Sequence, residues 1–134
     1  MIPVNEPLLN QDDYKYLEDA FNSGWISSAG KYIEEFENSW ASYCKMDYGI
    51  SVSNGTAAIQ IAIEAAGICQ DDEVIMPDFT IISCGQSITN IGARPVLVDS
   101  CPRTWCMDVS KIEQKITSKT KAIMVVHMLS LIHI

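Results

Sequence analysis

The residues with the clearest chemical potential lie in a short polar turn, Ser53-Asn54-Gly55-Thr56, between an apolar run and a segment of helical character. The first N–H groups of a helix have no partner within the helix, and the helix dipole favours negative charge beside them. Gly55 lets the backbone approach a ligand closely, and the Thr56 hydroxyl adds a further polar group. The turn therefore predicts an anion site that suits a phosphate group.

A purely structural interpretation of the same turn is equally open at this point. Ser53 and Asn54 are both residue types that cap helix N-termini through a side-chain oxygen atom. Two other phosphate-binding motifs, GxxxxGK[ST] and GxGxxG, do not occur in the sequence. The sequence therefore gives no support to ATP or NAD as a ligand.

The elements that would position this turn alternate regularly along residues 48–128. Short apolar runs, typical of strands, are separated by segments of helix length. The predicted strands cover residues 49–52, 74–76, 95–98 and 122–126, and the predicted helices cover residues 56–66, 81–90 and 109–116. Almost continuously apolar strands joined by helices favour a parallel sheet covered on both faces. The predicted fold class is α/β, with a three-layer, mostly parallel sheet.

Residues 1–47 are predicted to form a separate helical segment. Asn10 can cap a first helix that ends near Gly24, and a second helix reaches about Lys45. Apolar residues recur at helical spacing in both helices, and we interpret these two stripes as packing surfaces. The stripes consist of Tyr14, Leu17 and Phe21 in the first helix, and of Ile33, Phe36, Trp40, Tyr43 and Cys44 in the second.

Composition excludes several classes of protein. The 134 residues are 48% apolar and 19% charged, which suits one packed domain. A net charge of -8 without a cluster of Lys and Arg argues against nucleic acid as a partner. No run is apolar enough to span a bilayer and no signal peptide is recognisable, so we expect no membrane partner and a cytoplasmic location. The scattered cysteines predict neither a disulfide framework nor a metal site, and Cys101 and Cys106 are interpreted as free thiols around a turn.

Ordered blocks of sequence carry a family resemblance. They are Ser23-Gly24-Trp25-Ile26-Ser27 with Gly30, Phe36-Glu37, Ser53-Asn54-Gly55-Thr56-Ala57-Ala58, Asp71-Asp72-Glu73-Val74-Ile75 with Pro77, Gly92-Ala93 with Pro95-Val96 and Val98-Asp99, and Thr120-Lys121-Ala122-Ile123 with Val126-His127. From about residue 3 to residue 127 the chain resembles the DegT/DnrJ/EryC1/StrS family, the pyridoxal-phosphate (PLP) dependent aminotransferases that act on nucleotide-linked keto-sugars. Segments 77–83 and 104–108 are similar to its perosamine-synthase-like members, which aminate a GDP-linked 4-keto-6-deoxymannose.

The resemblance implies a partial large domain of the type I fold of PLP-dependent transferases, with PLP as the cofactor. It puts the cofactor phosphate on Gly55, Thr56 and Ala57, in agreement with the helix-terminus argument. It places Ile81 against the cofactor ring, where the family often has an aromatic residue, and makes Ser83 a further pocket residue. An Ile covers a ring through dispersion but cannot stack on it, and the other interpretation of Ile81 is a helix residue that faces the sheet.

The resemblance also implies a nucleotide-sugar substrate, glutamate as the amino donor, and a homodimer with shared active sites. Trp25 and Ser27 lie in a loop that resembles an active-site segment, and His127 follows the last predicted strand, where ligands of open α/β sheets bind. These three residues are the candidate substrate-binding residues. Trp25 is equally well interpreted as a packing anchor, and His127 as a capped or solvated residue.

The catalytic residues themselves are predicted to be absent. Aminotransfer through PLP needs a Schiff-base lysine and an acidic partner for the pyridinium nitrogen, and the family carries both beyond the stretch present here. Neither Asp78 nor Asp99 maps to the acidic partner. The lysines lie outside the family's lysine context and are predicted to be solvated, namely Lys15, Lys31, Lys45, Lys111, Lys115, Lys119 and Lys121. The chain alone is therefore predicted not to transaminate.

The predicted organisation has three parts: the helical segment 1–47, a partial PLP-binding domain at 48–128, and a tail at 129–134. The tail reads Leu-Ser-Leu-Ile-His-Ile, where family members continue with a Gly-containing turn. It can be back-translated as CTG TCT CTT ATA CAC ATC, which resembles a transposon-end sequencing adapter. We interpret it as non-native.

Our leading interpretation is the N-terminal fragment of a PLP-dependent aminotransferase of the perosamine type, acting in cell-surface polysaccharide or deoxyaminosugar biosynthesis. Two alternatives stay open. One is a PLP-dependent nucleotide-sugar dehydratase of the same family, in which histidine replaces the lysine. The other is a non-catalytic α/β module that binds a phosphorylated ligand, since a fold and a phosphate turn do not imply catalysis.

Overall fold

The computed structural model describes residues 2–3 and 6–128. The chain divides into two compact units, one up to Ser51 and the other from Val52. The interpretation of residues 129–134 as a non-native tail lies outside the described residues.

The first unit contains two helices, α1 (Gln11–Ser23) and α2 (Lys31–Cys44), as the sequence predicts. The Asn10 side chain accepts the backbone N–H of Asp13, and the Asp13 carboxylate accepts the N–H of Asn10, which caps α1 reciprocally. Gly24 ends α1 in the left-handed conformation with φ 73°, and Lys45 ends α2 with φ 56°. Local cap chemistry therefore marks both ends of α1 and the C-terminal end of α2, whereas Gly30 at the start of α2 provides no side-chain cap.

The apolar stripes of α1 and α2 are largely exposed, so their interpretation as packing surfaces is wrong for the described structure. Helix α1 has no buried residue and α2 has one, Ala41. Phe21 is 76% exposed and Trp40 is 54% exposed. The ring of Trp40 stacks on those of Phe36 and Tyr43, with centroids 6.2 and 5.5 Å away. Helical spacing creates an apolar face, but burial needs a partner surface that spacing cannot supply.

The predicted strand at 49–52 does not form. The backbone N–H of Ser51 donates to Oε1 of Glu37 at 2.7 Å, and the Ser51 hydroxyl donates to the same atom at 2.9 Å. Gly49 lies so close to α2 that a Cβ atom there would stand 2.5 Å from the Glu37 carbonyl oxygen. The backbone between residues 49 and 51 is therefore held by a helix, whereas a strand requires a paired neighbouring strand.

The second unit contains a parallel sheet of three strands, β1 (Glu73–Pro77), β2 (Arg94–Val98) and β3 (Thr120–Ile123), in the order β2-β1-β3. Ile75 is paired with Val96 on one side and with Ile123 on the other. The predicted α/β fold with a parallel sheet is thus confirmed. The third strand begins and ends earlier than the predicted run 122–126, although the Met124 N–H still donates to the Ile75 carbonyl at 2.7 Å.

Helices α3 (Gly55–Ala65) and α4 (Ile82–Asn90) cover one face of this sheet. The core on that face consists of Ile63, Ile68, Val74, Met76, Cys84, Ile88 and Ala93. The opposite face buries Ile75, Val98 and Met107 against the segment that follows β2. All five residues of β1 are buried, which agrees with a strand covered on both faces.

The predicted helix at 109–116 is replaced by two 3₁₀ turns, Val109–Lys111 and Glu113–Lys115. Asp108 does cap the first of them, since its carboxylate accepts the N–H of Ser110 at 3.1 Å. A segment of about eight residues gains few hydrogen bonds for the cost of starting an α-helix, so short 3₁₀ turns can replace it.

Candidate functional site

The candidate site is built on the N-terminus of α3, where Asn54 caps the helix. Asn54 is extended, with φ -169° and ψ 170°, and its Oδ1 accepts the N–H of Ala57 at 2.9 Å. Within the described residues no acceptor is hydrogen-bonded to the N–H of Gly55 or Thr56. The Asn54 cap uses the N–H of Ala57 and leaves the N–H groups of Gly55 and Thr56 free. The same turn can therefore be capped and also bind an anion.

Two serines of α4 hold Thr56 in place through hydrogen bonds to its side chain and to its backbone carbonyl. Its Oγ1 donates to Oγ of Ser83 at 3.0 Å, although the two residues are 27 positions apart. Its carbonyl accepts the hydroxyl of Ser87 at 3.4 Å, and Ser87 is fully buried. The Ser83 hydroxyl keeps its own proton and can donate it to a ligand. The structure thus brings the predicted residues Thr56 and Ser83 together.

Ser87 was not among the predicted site residues. It lies one helical turn beyond Ser83 on α4, so both serines face Thr56. This four-residue spacing was the only signal in the sequence that could have identified Ser87, and it also fits an ordinary helix face.

The space beside Gly55 is open. A Cβ atom built at Gly55 would have no protein atom within 4 Å apart from its chain neighbours and the backbone of its own helix. A ligand can therefore approach the free N–H groups of Gly55 and Thr56 without displacing protein atoms. Ala57 belongs to the same first turn, but its N–H already donates to Oδ1 of Asn54.

Ile81 is the candidate residue nearest to Ser83 in sequence, two positions before it. It precedes α4, with φ -63° and ψ 140°, and is 61% exposed, so it is not a helix residue facing the sheet. Together with His127 it lines a largely apolar cavity of about 560 Å³. The other lining residues come from α3 and the turn after it, from β1 and α4, and from β3 with the segment behind it, and include Ile59, Val74, Cys84 and Met124. The candidate residues Ile81 and His127 therefore share one cavity.

Trp25 and Ser27 belong to the first unit and are both exposed. Trp25 is 61% exposed, which does not support its interpretation as a packing anchor. Ser27 organises its own turn, since its Oγ accepts the N–H of Ala29 at 3.3 Å. A role of either residue in substrate binding stays a prediction.

The lysines are separate from the α3 turn. No lysine that the structure describes forms a hydrogen bond or ion pair with Gly55, Thr56 or Ser83. Lys111 departs from the predicted solvated surface, because it is partly buried and its Nζ lies 2.7 Å from Oδ2 of Asp99. This hydrogen bond lowers the pKa of Asp99 and raises the pKa of Lys111.

The part of the chain that the structure describes contains no group of three or more His, Cys, Asp or Glu side chains that could hold a metal ion. None of its helices has the length and apolar character needed to cross a membrane.

Comparison with known proteins gives one consistent result. A family model described as the DegT/DnrJ/EryC1/StrS aminotransferase family matches residues 7–132. The chain is 49% identical to the GDP-perosamine synthase of Escherichia coli O157:H7 over 127 residues, which cover 95% of this chain and 35% of that protein. It is 45% identical to the GDP-perosamine synthase of Vibrio cholerae over 127 residues, with the same two coverages of 95% and 35%.

A solved structure agrees with these matches. It is a Streptococcus pneumoniae protein assigned as a sugar aminotransferase and solved in a PLP form, and it matches with a TM-score of 0.84 and 33% identity. The match covers 91% of this chain and 31% of that one. The chain thus spans about a third of the length of the curated relatives it matches.

Proposed function

The chain belongs to the DegT/DnrJ/EryC1/StrS aminotransferase family, and on that premise we propose that it supplies the cofactor-phosphate site of a PLP-dependent aminotransferase. One observation carries the proposal. The free N–H groups of Gly55 and Thr56 lie at a helix N-terminus beside the hydroxyl pair of Thr56 and Ser83. The Streptococcus pneumoniae relative has been solved in PLP and PMP forms, which supports PLP as the phosphorylated ligand.

The residues present fit a phosphate group. Two backbone donors and the dipole of α3 favour a dianion at this position, and the Ser83 hydroxyl can add a third donor. Ser87 and Ser83 hold Thr56 in place, so the donors are arranged before the ligand arrives. Ile81 would cover part of the cofactor ring through dispersion contacts. When bound, PLP supplies the electron-accepting ring through which an amino group is moved between a donor and a ketone.

The substrate of the whole protein is proposed to be a nucleotide-linked keto-sugar of the perosamine type. Two relatives that cover 95% of this chain are GDP-perosamine synthases, which supports this choice. Glutamate as the amino donor and a homodimeric assembly belong to the same proposal. Trp25, Ser27 and His127 are the proposed contacts to the substrate.

The phosphate site is tested by amide NMR on the chain labelled with ¹⁵N. PLP and inorganic phosphate should shift the amide signals of Gly55 and Thr56, whereas pyridoxal, which lacks the phosphate, should not. Equal shifts from pyridoxal and PLP would contradict the site. Binding of inorganic phosphate as tight as that of PLP would favour the second function, a module that binds a phosphorylated ligand without catalysis.

A matched pair of glycine variants separates ligand approach from folding. Gly55→Ala adds a methyl group that meets no protein atom within 4 Å, so the fold should tolerate it while the phosphate is obstructed. Gly85→Ala adds the same group on α4, where it meets only the Met76 side chain at 3.8 Å. PLP affinity should fall about tenfold in Gly55→Ala, equivalent to about 1.4 kcal/mol, and stay unchanged in Gly85→Ala. Equal affinities in both variants would refute the assignment of Gly55.

We also propose that the 134 residues do not transaminate on their own, because no described lysine contacts the candidate site. Treatment with PLP and borohydride, followed by peptide mass spectrometry, should give only scattered substoichiometric lysine modification. A single lysine modified to completion would show that this proposal is wrong.

A further inference from the structure

Two cysteines face each other across a small hairpin that follows β2. The N–H of Asp108 donates to the carbonyl of Asp99 at 2.9 Å, and the N–H of Cys101 donates to the carbonyl of Cys106 at 2.8 Å. Between these two bonds, Ser100 and Met107 form an antiparallel bridge. Cys101 and Cys106 are therefore the next opposed pair along the hairpin.

Opposed residues of an antiparallel pair project to the same face, with Cα atoms about 5.5 Å apart at a hydrogen-bonded position. Cys101 and Cys106 make one of the two hydrogen bonds of such a position, and the Cys106 N–H donates to Oγ1 of Thr104 instead. A disulfide usually spans Cα separations of about 4.4–6.8 Å. The backbone of the hairpin thus holds the two cysteines at a separation that a disulfide can bridge without moving the chain far.

The loop between the cysteines is well fixed. The carbonyl of Cys101 accepts the N–H groups of Thr104 and Trp105 at 3.2 and 2.8 Å. Trp105 adopts a left-handed conformation with φ 60°, and its ring lies 5.3 Å from that of Phe79. The loop therefore cannot easily carry Cys101 away from Cys106.

Both thiols are accessible to a small reagent, since each is only partly buried, whereas Cys84 is buried. Backbone hydrogen bonding from Arg103, followed by side-chain and backbone hydrogen bonding from Thr104, lowers the pKa of the Cys101 thiol. A thiolate is the reactive form of cysteine towards disulfides. Cys101 is therefore the attacking thiol and Cys106 the resolving one.

We propose that Cys101 and Cys106 are a redox modification site, which forms an intramolecular disulfide on reaction with a low-molecular-weight disulfide such as oxidised glutathione. The Cys101 thiolate attacks one glutathione sulfur, and the other glutathione leaves with the electron pair and takes up a proton. The Cys106 thiolate then attacks the Cys101 sulfur and releases the second glutathione as a thiol. Two cysteine thiols are oxidised, one glutathione disulfide is reduced to two thiols, and the two protons pass to glutathione. This inference does not rest on the proposed function.

The disulfide can be located by a tryptic digest of the whole chain after incubation with excess oxidised glutathione, acid quenching and alkylation. Trypsin cleaves after Arg103 and does not cleave between Arg94 and Pro95. The disulfide should join the peptide 46–103 to the peptide 104–111, and reduction should release both. Peptides 46–103 and 104–111 found separately, with alkylated or glutathionylated cysteines, would overturn the proposal.

Cysteine variants identify the partner within peptide 46–103, which also contains Cys69 and Cys84. The linked pair should persist in Cys69→Ser, a matched control at an exposed cysteine, and should disappear in Cys101→Ser. Persistence of the linked pair in Cys101→Ser would overturn the proposal. The mapping of the unaltered chain stands even if a variant fails to fold.

A comparison with the unfolded chain tests whether the hairpin itself favours the bond. The equilibrium constant for disulfide formation in a glutathione buffer should be several-fold higher in native buffer than in concentrated urea. Equal constants in the two solvents would show that the opposed geometry contributes nothing.

Discussion

The two units of this chain follow the same sequence rules but differ in what they bury. Helices α1 and α2 carry apolar stripes at helical spacing, yet α1 has no buried residue and α2 has one. In the second unit, the five residues of β1 are all buried between the two faces of the sheet. Periodicity thus makes an apolar face, whereas a core requires a second surface brought close by the fold.

The largest expected effect comes from truncating matched aliphatic residues in the two units. Ile88 in α4 is fully buried, and Leu17 in α1 is 68% exposed. Ile88→Ala should lower the free energy of unfolding by about 2–5 kcal/mol, because it leaves a cavity in the core. Leu17→Ala should change it by less than about 0.5 kcal/mol. Urea unfolding followed by circular dichroism measures both, and similar losses would abolish the distinction between the units.

A second contrast uses two hydrogen bonds of equal length to carboxylates. The Thr117 hydroxyl donates to the buried Glu73 at 2.6 Å, and the Tyr32 hydroxyl donates to the exposed Asp19 at 2.6 Å. Thr117→Val should cost about 1–3 kcal/mol, because a buried carboxylate loses a partner that water cannot fully replace. Tyr32→Phe should cost less than about 0.5 kcal/mol, since water can take over. Urea unfolding followed by circular dichroism measures the loss of stability in both variants. A larger loss in Tyr32→Phe than in Thr117→Val would contradict this prediction.

Helix caps should act alike in both units, because capping is local. Asn10 caps α1 and Asn54 caps α3, each through Oδ1. Asn10→Ala and Asn54→Ala should each cost about 1 kcal/mol, and the corresponding Gly variants only a few tenths. Amide hydrogen exchange in the first turn of each helix provides the measurement. A cost confined to Asn54→Ala would mean that α1 gains nothing from its cap.

The smallest effect is a pH dependence in the first unit. The backbone N–H of Ser51, and then its hydroxyl, lower the pKa of the Glu37 carboxyl. A carboxyl whose pKa is lower in the folded state stabilises that state above the unfolded pKa, and the contribution is lost as pH falls through the folded pKa. Ser51→Ala removes the hydroxyl and keeps the N–H, so the Glu37 pKa should rise only part of the way towards the ordinary value of a glutamate carboxyl.

A ¹³C NMR titration of the Glu37 carboxyl follows this change, with Ser39→Ala on the same helix as a control that should leave the pKa unaltered. An unaltered Glu37 pKa in Ser51→Ala would show that the hydroxyl takes no part in holding residues 49–51 against α2.

Much of the fold could be predicted because its signals are local. Asn10 with Gly24, and Asn54 with the apolar segment behind it, mark helix ends through hydrogen bonds to neighbours in sequence. The apolar runs that form β1 and β2 likewise indicated strands, although only β1 is buried along its whole length. The phosphate turn was predictable for the same reason, since a cap residue, a glycine and a hydroxyl at one helix start are adjacent in sequence.

The sequence alone therefore sufficed to predict the caps of α1 and α3, the parallel α/β class and the chemistry available at Gly55 and Thr56. Long-range contacts in the folded chain, by contrast, make Ser51 donate to Glu37, so that residues 49–51 form no strand, and bring Ser83 and Ser87 to Thr56 from another helix. The tertiary structure also places Cys101 opposite Cys106. The physical reason is the same in each case: caps and periodicity depend on neighbours within one or two helical turns, whereas pairing and burial depend on surfaces that only the folded chain brings together.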